Sequence, residues 1–277
     1  MKIYRLSAFP KSPQGGNKAG VVLDTQGLTD QMMQTIAHTV GYSETAFVFP
    51  STQADFNVRF FTPLEEVDLC GHATIATFNL LRDKGIISLG IYHQETKAGI
   101  LRLDVQEKQV FMEQNTPVFG ETISADELKP CFQNNDFLDQ TLPIQIVSTA
   151  LREIFVPVKS VELLHQLNPD FDAIVALSKQ YHVIGVHAFA LALDVDAYGR
   201  NFAPILGIDE ESATGTSNGA LASYLAHHKT RKENWILRQG YAMNQPSEII
   251  AKLDITQATI NAVWVGGSAR ILEEEDD

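Results

Sequence analysis

Cysteine is scarce in this chain, with two residues in 277, Cys70 and Cys131. So few cannot build a disulfide framework, and they match no metal-ligand spacing. No metal is expected. Basic residues are outnumbered, 21 Lys and Arg against 34 Asp and Glu, for a formal net charge of -13. That excess repels phosphate backbones and anionic lipid surfaces, so neither a nucleic-acid nor a membrane partner is expected. The longest basic cluster, "HHKTRK" from His227 to Lys232, reads as the solvated C-terminal end of a helix, where positive charge complements the dipole. Long apolar runs are missing too, since none approaches the ~18–20 residues of a membrane span. The opening "MKIYRLSAFP" lacks the apolar centre and small-residue cleavage site of a secretory leader. The expected location is a reducing cytoplasm.

What is present is a composition of 44% hydrophobic and 20% charged residues, enough for a sizeable core in one or two domains. "KIYRL" and "AGVVL" read as strands around a polar loop, "PKSPQGGNK". Thr29 is placed to cap a helix whose Met32, Met33, Ile36 and Val40 share a face and which Gly41 stops. "ETAFVF" and "DFNVRFF" follow as strands, and then a helix with Ile75, Phe78 and Leu81 at apolar spacing ends near Gly85. "GILRLDV" and "QVFME" form a strand pair, Asn115 to Thr122 reads as a linker, and Ser124 with Glu127 makes a capping box. The second half repeats the mixture, and the acidic end "EEEDD" reads as solvated and disordered. Short strands interleaved with single helices indicate an α+β chain.

Two segments echo one another: "RFFTPLEEVDLCGHATIATFNLL" from Arg59 and "RNFAPILGIDEESATGTSNGALASYL" from Arg200. Arg59, Phe61 and Pro63 align with Arg200, Phe202 and Pro204, and Gly71 aligns with Gly215. Each copy runs into an apolar helix followed by a strand, "GILRLDV" or "NWILRQG". Two duplicated domains would each present one helix N-terminus behind a turn of small and hydroxyl-bearing residues. The domains are expected at 1–118 and 119–261, with 262–277 packing back on the first.

A helix start leaves main-chain N–H groups without intrahelical acceptors and carries partial positive charge, so it favours a carboxylate or another anion. Gly71, Ala73 and Thr74 in one turn, and Gly215 and Ser217 in the other, let a ligand approach the main chain. The plainer alternative is that both glycines merely permit tight turns capped by their neighbours. If the turns act together, fixed N–H dipoles beside a carboxylate suit proton abstraction from carbon, and a side chain must then move the proton. The candidates are Glu44, Cys70, His72 and Glu211. A Cys70/His72 nucleophilic pair is disfavoured, because residues two apart at a helix entry seldom point at one another and no third orienting group is evident. "GGNKAG" lacks the Lys-Ser/Thr ending of a phosphate loop and precedes a strand.

The stretches "GNKAGVVL", "GYSETAFVFP", "DLCGHAT", "ATGTSNGAL", "RQG" and "VWVGGSARIL" together resemble the PhzF family of phenazine-biosynthesis-like isomerases, which share the diaminopimelate epimerase fold. The resemblance implies two pseudo-twofold-related domains, each a central helix wrapped by a bent, mostly antiparallel sheet, with the site between them. It implies Glu44 as the proton shuttle with His72 assisting, and Glu211 and Thr216 as supporting groups where the family typically has Asp and Ser. It further implies cofactor-free isomerisation of a small carboxylate-bearing metabolite, and a homodimer. Epimerases of this fold use two opposed thiols, whereas Thr214 stands at the second position here. Lys18, Asn244 and Gln245 also depart from the family pattern "GNPAG" and "MGRPS", which argues against the phenazine precursor as substrate. The alternative is a small-anion binding protein of the same fold without turnover, and Cys70 reads as a bystander.

Overall fold

The computed structural model describes residues 1–257 and 259–276. The chain divides into two compact units, Met1–Glu113 with Gly266–Asp277, and Gln114–Val265.

In the first unit the chain runs β1 (Lys2–Ala8), β2 (Asn17–Val22), α1 (Asp30–Val40), β3 (Glu44–Phe49), β4 (Phe56–Phe61), β5 (Glu66–Val67), α2 (Gly71–Asp83), β6 (Gly90–Thr96), β7 (Gly99–Val105) and β8 (Val110–Gln114). The second continues with β9 (Val118–Thr122), α3 (Ala125–Phe132), β10 (Gln145–Ser148), β11 (Arg152–Val158), α4 (Val161–Gln166), α5 (Phe171–Tyr181), β12 (Val186–Leu191), β13 (Ala197–Ala203), β14 (Ile208–Glu211), α6 (Gly215–His228), β15 (Asn234–Gln239), β16 (Ser247–Thr256) and β17 (Thr259–Gly267). Strand β18 (Ala269–Asp276) returns to the first unit.

Strand pairing repeats between the units. In the first, β18–β1, β1–β2, β3–β4, β6–β7 and β7–β8 are antiparallel, while β2–β3 and β4–β6 are parallel. In the second, β9–β10, β10–β11, β12–β13 and β15–β16 are antiparallel, while β11–β12 and β13–β15 are parallel. The expected α+β class and the duplication are both present in this order.

Side chains repeat as well. Arg59 grips Glu66 through Nε and Nη2 at 2.7 Å each, and Arg200 grips Glu210 in the same two-pronged way at 2.9 and 2.8 Å. Arg59 lies over the Phe61 ring at 5.2 Å and Arg200 over Phe202 at 4.9 Å. Two N–H groups matched to two carboxylate oxygens lock strand to strand with little freedom to rotate. Charge pairing holds the Arg59 guanidinium above its ordinary pKa, chiefly through Glu66 and against the cost of burial.

Helices α2 and α6 are buried on every side, from His72 to Leu81 and from Ser217 to Ala226. An all-round buried helix needs small or self-satisfied side chains. Thr74, Thr77 and Asn79 in α2, and Asn218 and Ser223 in α6, each donate to the carbonyl four residues earlier at 2.8–2.9 Å. At Gly219 a Cβ would stand 2.6 Å from Val265 Cγ2, so strand and helix approach too closely for any side chain there.

Several local expectations are met. Thr29 caps α1 by accepting from Met32 N, Gly41 closes it at φ 70, and Ser124 with Glu127 forms the capping box of α3. Others need correction. Met32 is exposed, and Ala37 takes its place on the buried face of α1 with Met33, Ile36 and Val40. The expected linker is strand β9 from Val118 onward, paired with β10. Between α2 and "GILRLDV" lies another strand, β6, whose alternation is masked by Tyr92, His93 and Gln94. The acidic end is not disordered over residues 273–276: it is part of β18, antiparallel to β1, and Asp277 lies outside the described residues. Lys2, Arg5 and Lys84 supply the opposite charge, pairing with Glu273, Glu274 and Glu275. Among the described residues no helix is long and apolar enough to cross a membrane.

Candidate active site

The start of α2 is unusual in its polar company. Cys70 is its N-cap, with extended backbone at φ -139 and ψ 115 and no side-chain capping bond. The first helical amide with an acceptor inside the helix is that of Thr74, bonded to Cys70 O at 3.0 Å. Gly71, His72 and Ala73 therefore direct their amides out of the helix start. The Thr74 hydroxyl donates to Cys70 O at 2.8 Å and accepts from Gln94 Nε2 at 3.1 Å. Both polar groups of Thr74 are thus engaged within the fold.

Parallel pairing of β2 with β3 sets Ala19 against Glu44 and fixes where β3 begins. Glu44, its first residue, is part-buried, and its Oε2 stands 3.2 Å from Nε2 of the buried His72. That is a charge-pair distance, yet Oε2 is buried with no hydrogen-bond donor in line among the described residues. An acceptor desolvated without a donor is costly unless the site uses it. Ser43 Oγ lies 3.4 Å from the same ring nitrogen. Burial pushes the His72 imidazole below its ordinary pKa, against the Glu44 charge and a hydrogen bond to the Lys18 main chain, which favour the protonated ring. His72 is accordingly neutral at neutral pH.

Cys70 Sγ lies 3.3 Å from His72 Nδ1 and 3.8 Å from Nε2. This corrects the expectation that the two side chains point apart. The spacing rule holds within a helix, whereas Cys70 precedes it in an extended conformation, so its Cβ follows a different direction. Cys70 is in contact with His72. The donor atoms of Glu44, Cys70 and His72 all lie within 4.8 Å of one another, a cluster that spacing along the chain did not disclose.

The start of α6 is built differently. Thr214 is the N-cap, and its hydroxyl donates to Glu211 Oε2. Gln239, at the end of β15, spans the turn. Its Nε2 donates to Glu211 O at 2.7 Å and to Thr214 Oγ1 at 3.1 Å, while its Oε1 accepts from Thr214 N at 3.2 Å and Asn218 Nδ2 at 2.7 Å. Thr216 is part-buried and its carbonyl accepts from Thr149 at 3.2 Å. Gly215 and Ser217 are buried, and Ser217 Oγ accepts from Asn201 at 3.2 Å. Beneath it, burial pushes the Glu153 carboxyl above its ordinary pKa, although hydrogen bonds from Ser217 and Asn201 favour the charged form.

Of the expected residues, Glu44, His72, Gly71 and Ala73 meet at one turn, and Glu211, Thr216 and Gly215 gather at the other. The side chains of Thr74 and Ser217 bond into the interior. Ser43, Gln239 and Asn218 carried no role in the sequence reading. Gln239 had a signal, as a lone amide in "RQG" at the end of an apolar strand.

The family model for phenazine biosynthesis-like proteins matches residues 6–275. An uncharacterized isomerase of Clostridium acetobutylicum is 34% identical over 98% of this chain and 95% of its own length. The trans-2,3-dihydro-3-hydroxyanthranilate isomerase of Pseudomonas aeruginosa is 29% identical, over 97% of this chain and 96% of its own. A crystal structure of a PhzF-family protein from Bacillus anthracis superposes with a TM-score of 0.90 at 31% identity, covering 99% of this chain and 98% of that one. A match that spans nearly the whole chain in both sequence and fold makes this protein an isomerase of the PhzF, or phenazine biosynthesis-like, family.

Proposed function

We propose that the protein isomerises a small carboxylate-bearing metabolite by cofactor-independent proton transfer, with Glu44 carrying the proton. The observation behind this reading is the buried Glu44 Oε2, which has no donor in line beside a neutral imidazole. With no donor tied to that oxygen the carboxylate keeps its basicity, and its side chain, 14% exposed, leaves it within reach of a substrate. His72, neutral and 3.2 Å away, packs against the carboxylate and limits its orientation. The amides at the start of α2 stabilise negative charge that develops next to the substrate carboxylate. Glu44 then returns the proton to a different carbon, so one base serves both steps and no second thiol is required.

In this reading Glu211 and Thr216 at the α6 turn are supporting groups, an assignment implied by the resemblance to the family. The substrate is of the same general class as the cyclic amino acid processed by the Pseudomonas relative, but distinct from it. Lys18, Glu211, Thr216, Asn244 and Gln245 are the departures that motivate the distinction.

The test is incubation in deuterated water with a panel of small cyclic and unsaturated carboxylic acids, read by mass increase and proton NMR. Wild type exchanges a carbon-bound hydrogen of at least one acid, and Glu44→Gln does not, with its circular dichroism unchanged. Full exchange by the variant would refute the role of Glu44. Tight carboxylate binding without exchange by either protein would favour the anion-binding alternative.

A further inference from the structure

We infer that Glu44, Cys70 and His72 form a binding site for a thiophilic divalent cation, Zn2+ above all, and that its occupancy switches the isomerase off. The second half of this inference rests on the proposed role of Glu44; the first does not.

Three donors of different chemistry converge here: a carboxylate oxygen, a thiol sulfur and an imidazole nitrogen. That combination suits zinc, which takes Cys, His and carboxylate ligands together at bond lengths of about 2.0–2.3 Å, whereas all-oxygen sites suit magnesium and calcium. Tetrahedral placement at those lengths requires about 3.3 Å between a nitrogen and an oxygen ligand and about 3.6 Å between a nitrogen and a sulfur. His72 Nε2 lies 3.2 Å from Glu44 Oε2 and 3.8 Å from Cys70 Sγ. Nε2 keeps the required distance to the carboxylate, while Sγ lies nearer Nδ1, at 3.3 Å, so the Cys70 side chain must turn toward Nε2 to join the same ion. The ring is also held by a hydrogen bond to the Lys18 main chain, the kind of outer contact that orients metal-bound histidines. Glu44 Oε2 has no donor in line that a cation would have to displace. At the equivalent place in the second unit Thr214 replaces the thiol, so among the described residues the donor set occurs once.

Binding forms bonds from the cation to Sγ, Nε2 and a carboxylate oxygen. It expels water from the ion and releases the Cys70 proton to solvent. The carboxylate, bonded to the cation, cannot then accept a proton from substrate.

The experiment uses the full chain, freed of metal with EDTA and titrated with Co2+. The expected result is one Co2+ per chain, with the visible bands of tetrahedral cobalt and a thiolate-to-cobalt charge-transfer absorption that Zn2+ abolishes. Cys70→Ala loses the charge-transfer band, Cys131→Ala keeps it, and circular dichroism verifies that both variants are folded. Loss of an outer contact costs about 10- to 100-fold in metal affinity, so His72→Ala, which removes a ligand itself, weakens Zn2+ binding by more than about 100-fold. Absence of the charge-transfer band in wild type, or its persistence in Cys70→Ala, overturns the site. In the exchange assay Zn2+ stops turnover and EDTA restores it; Zn2+ bound without inhibition overturns the switch. Should no acid exchange at all, the proposed function fails while the cobalt spectrum still decides the metal site.

Discussion

The two units carry the same framework and different chemistry. Both have the Arg–Glu clamp, the arginine over a phenylalanine, and a helix whose fourth residue donates back to the N-cap carbonyl at 2.8 Å, Thr74 to Cys70 and Asn218 to Thr214. At the start of α2 stand Glu44, Cys70 and His72; at the start of α6 the turn is tied by Gln239. The register shows why a second carboxylate is lacking at the position matching Glu44. Glu44 stands three residues before Phe47, the partner of Arg59, and Gly185 stands three before Ala188, the partner of Arg200. A Cβ at Gly185 would come within 1.9 Å of Phe202 O. Duplication preserved the scaffold, and close strand contact in one copy confined the carboxylate to the other.

The largest test of that asymmetry is Glu44→Gln, which lowers exchange by about 10²- to 10⁴-fold, the range of a general base, while the melting temperature is kept. Gly185→Ala places a methyl against main chain, so thermal unfolding detects a loss of about 1–3 kcal/mol or more. An unchanged melting temperature would show that the tight approach is not what excludes a side chain there. Glu211→Gln removes a charged acceptor from Thr214, worth about 1.5–3 kcal/mol, and is expected to lower kcat/KM by about 10- to 100-fold. No change would confine the chemistry to the first turn.

Each unit also buries one histidine, and the two differ in company. His187 is pushed by burial alone from 6.5 to about 3, whereas for His72 the Glu44 charge and the Lys18 main chain oppose burial. Between those two pH values the unfolded chain binds the proton and the folded chain does not, so stability held above pH 6.5 is lost as pH falls toward 3. Denaturant titrations of His187→Phe should show a slope against pH that is shallower by up to about 1.4 kcal/mol per pH unit in that window. An unchanged slope would show that the ring is not held neutral. Smallest are the helix caps: Thr29→Ala at α1 and Asp170→Ala at α5 each remove one bond to a helix amide. Each should cost about 1 kcal/mol, and unequal losses would mark where the copies have diverged.

Much of this was legible along the chain because it depends on local rules. The caps at Thr29 and Ser124, the stop at Gly41 and the apolar spacing of Ile75, Phe78 and Leu81 are written in neighbouring residues. The echo of Arg59–Phe61–Pro63 in Arg200–Phe202–Pro204 disclosed the duplication. What misled was composition. "EEEDD" reads as solvated because its partners, Lys2, Arg5 and Lys84, are remote in sequence. Val118 to Thr122 reads as a linker because a short edge strand has little periodicity to show.

The sequence by itself determined the α+β class, the two copies, the family and the two helix starts, since each rests on short-range pattern or on motif residues close together. Only the tertiary structure decided which side chains meet. Cys70 came to touch His72 because it sits in extended backbone just outside the helix. Glu44 reached the same imidazole because β2 fixes where β3 begins. Gln239 came to tie the second turn from a strand more than twenty residues away. Such meetings are set by register and helix phase, which distance along the chain does not encode.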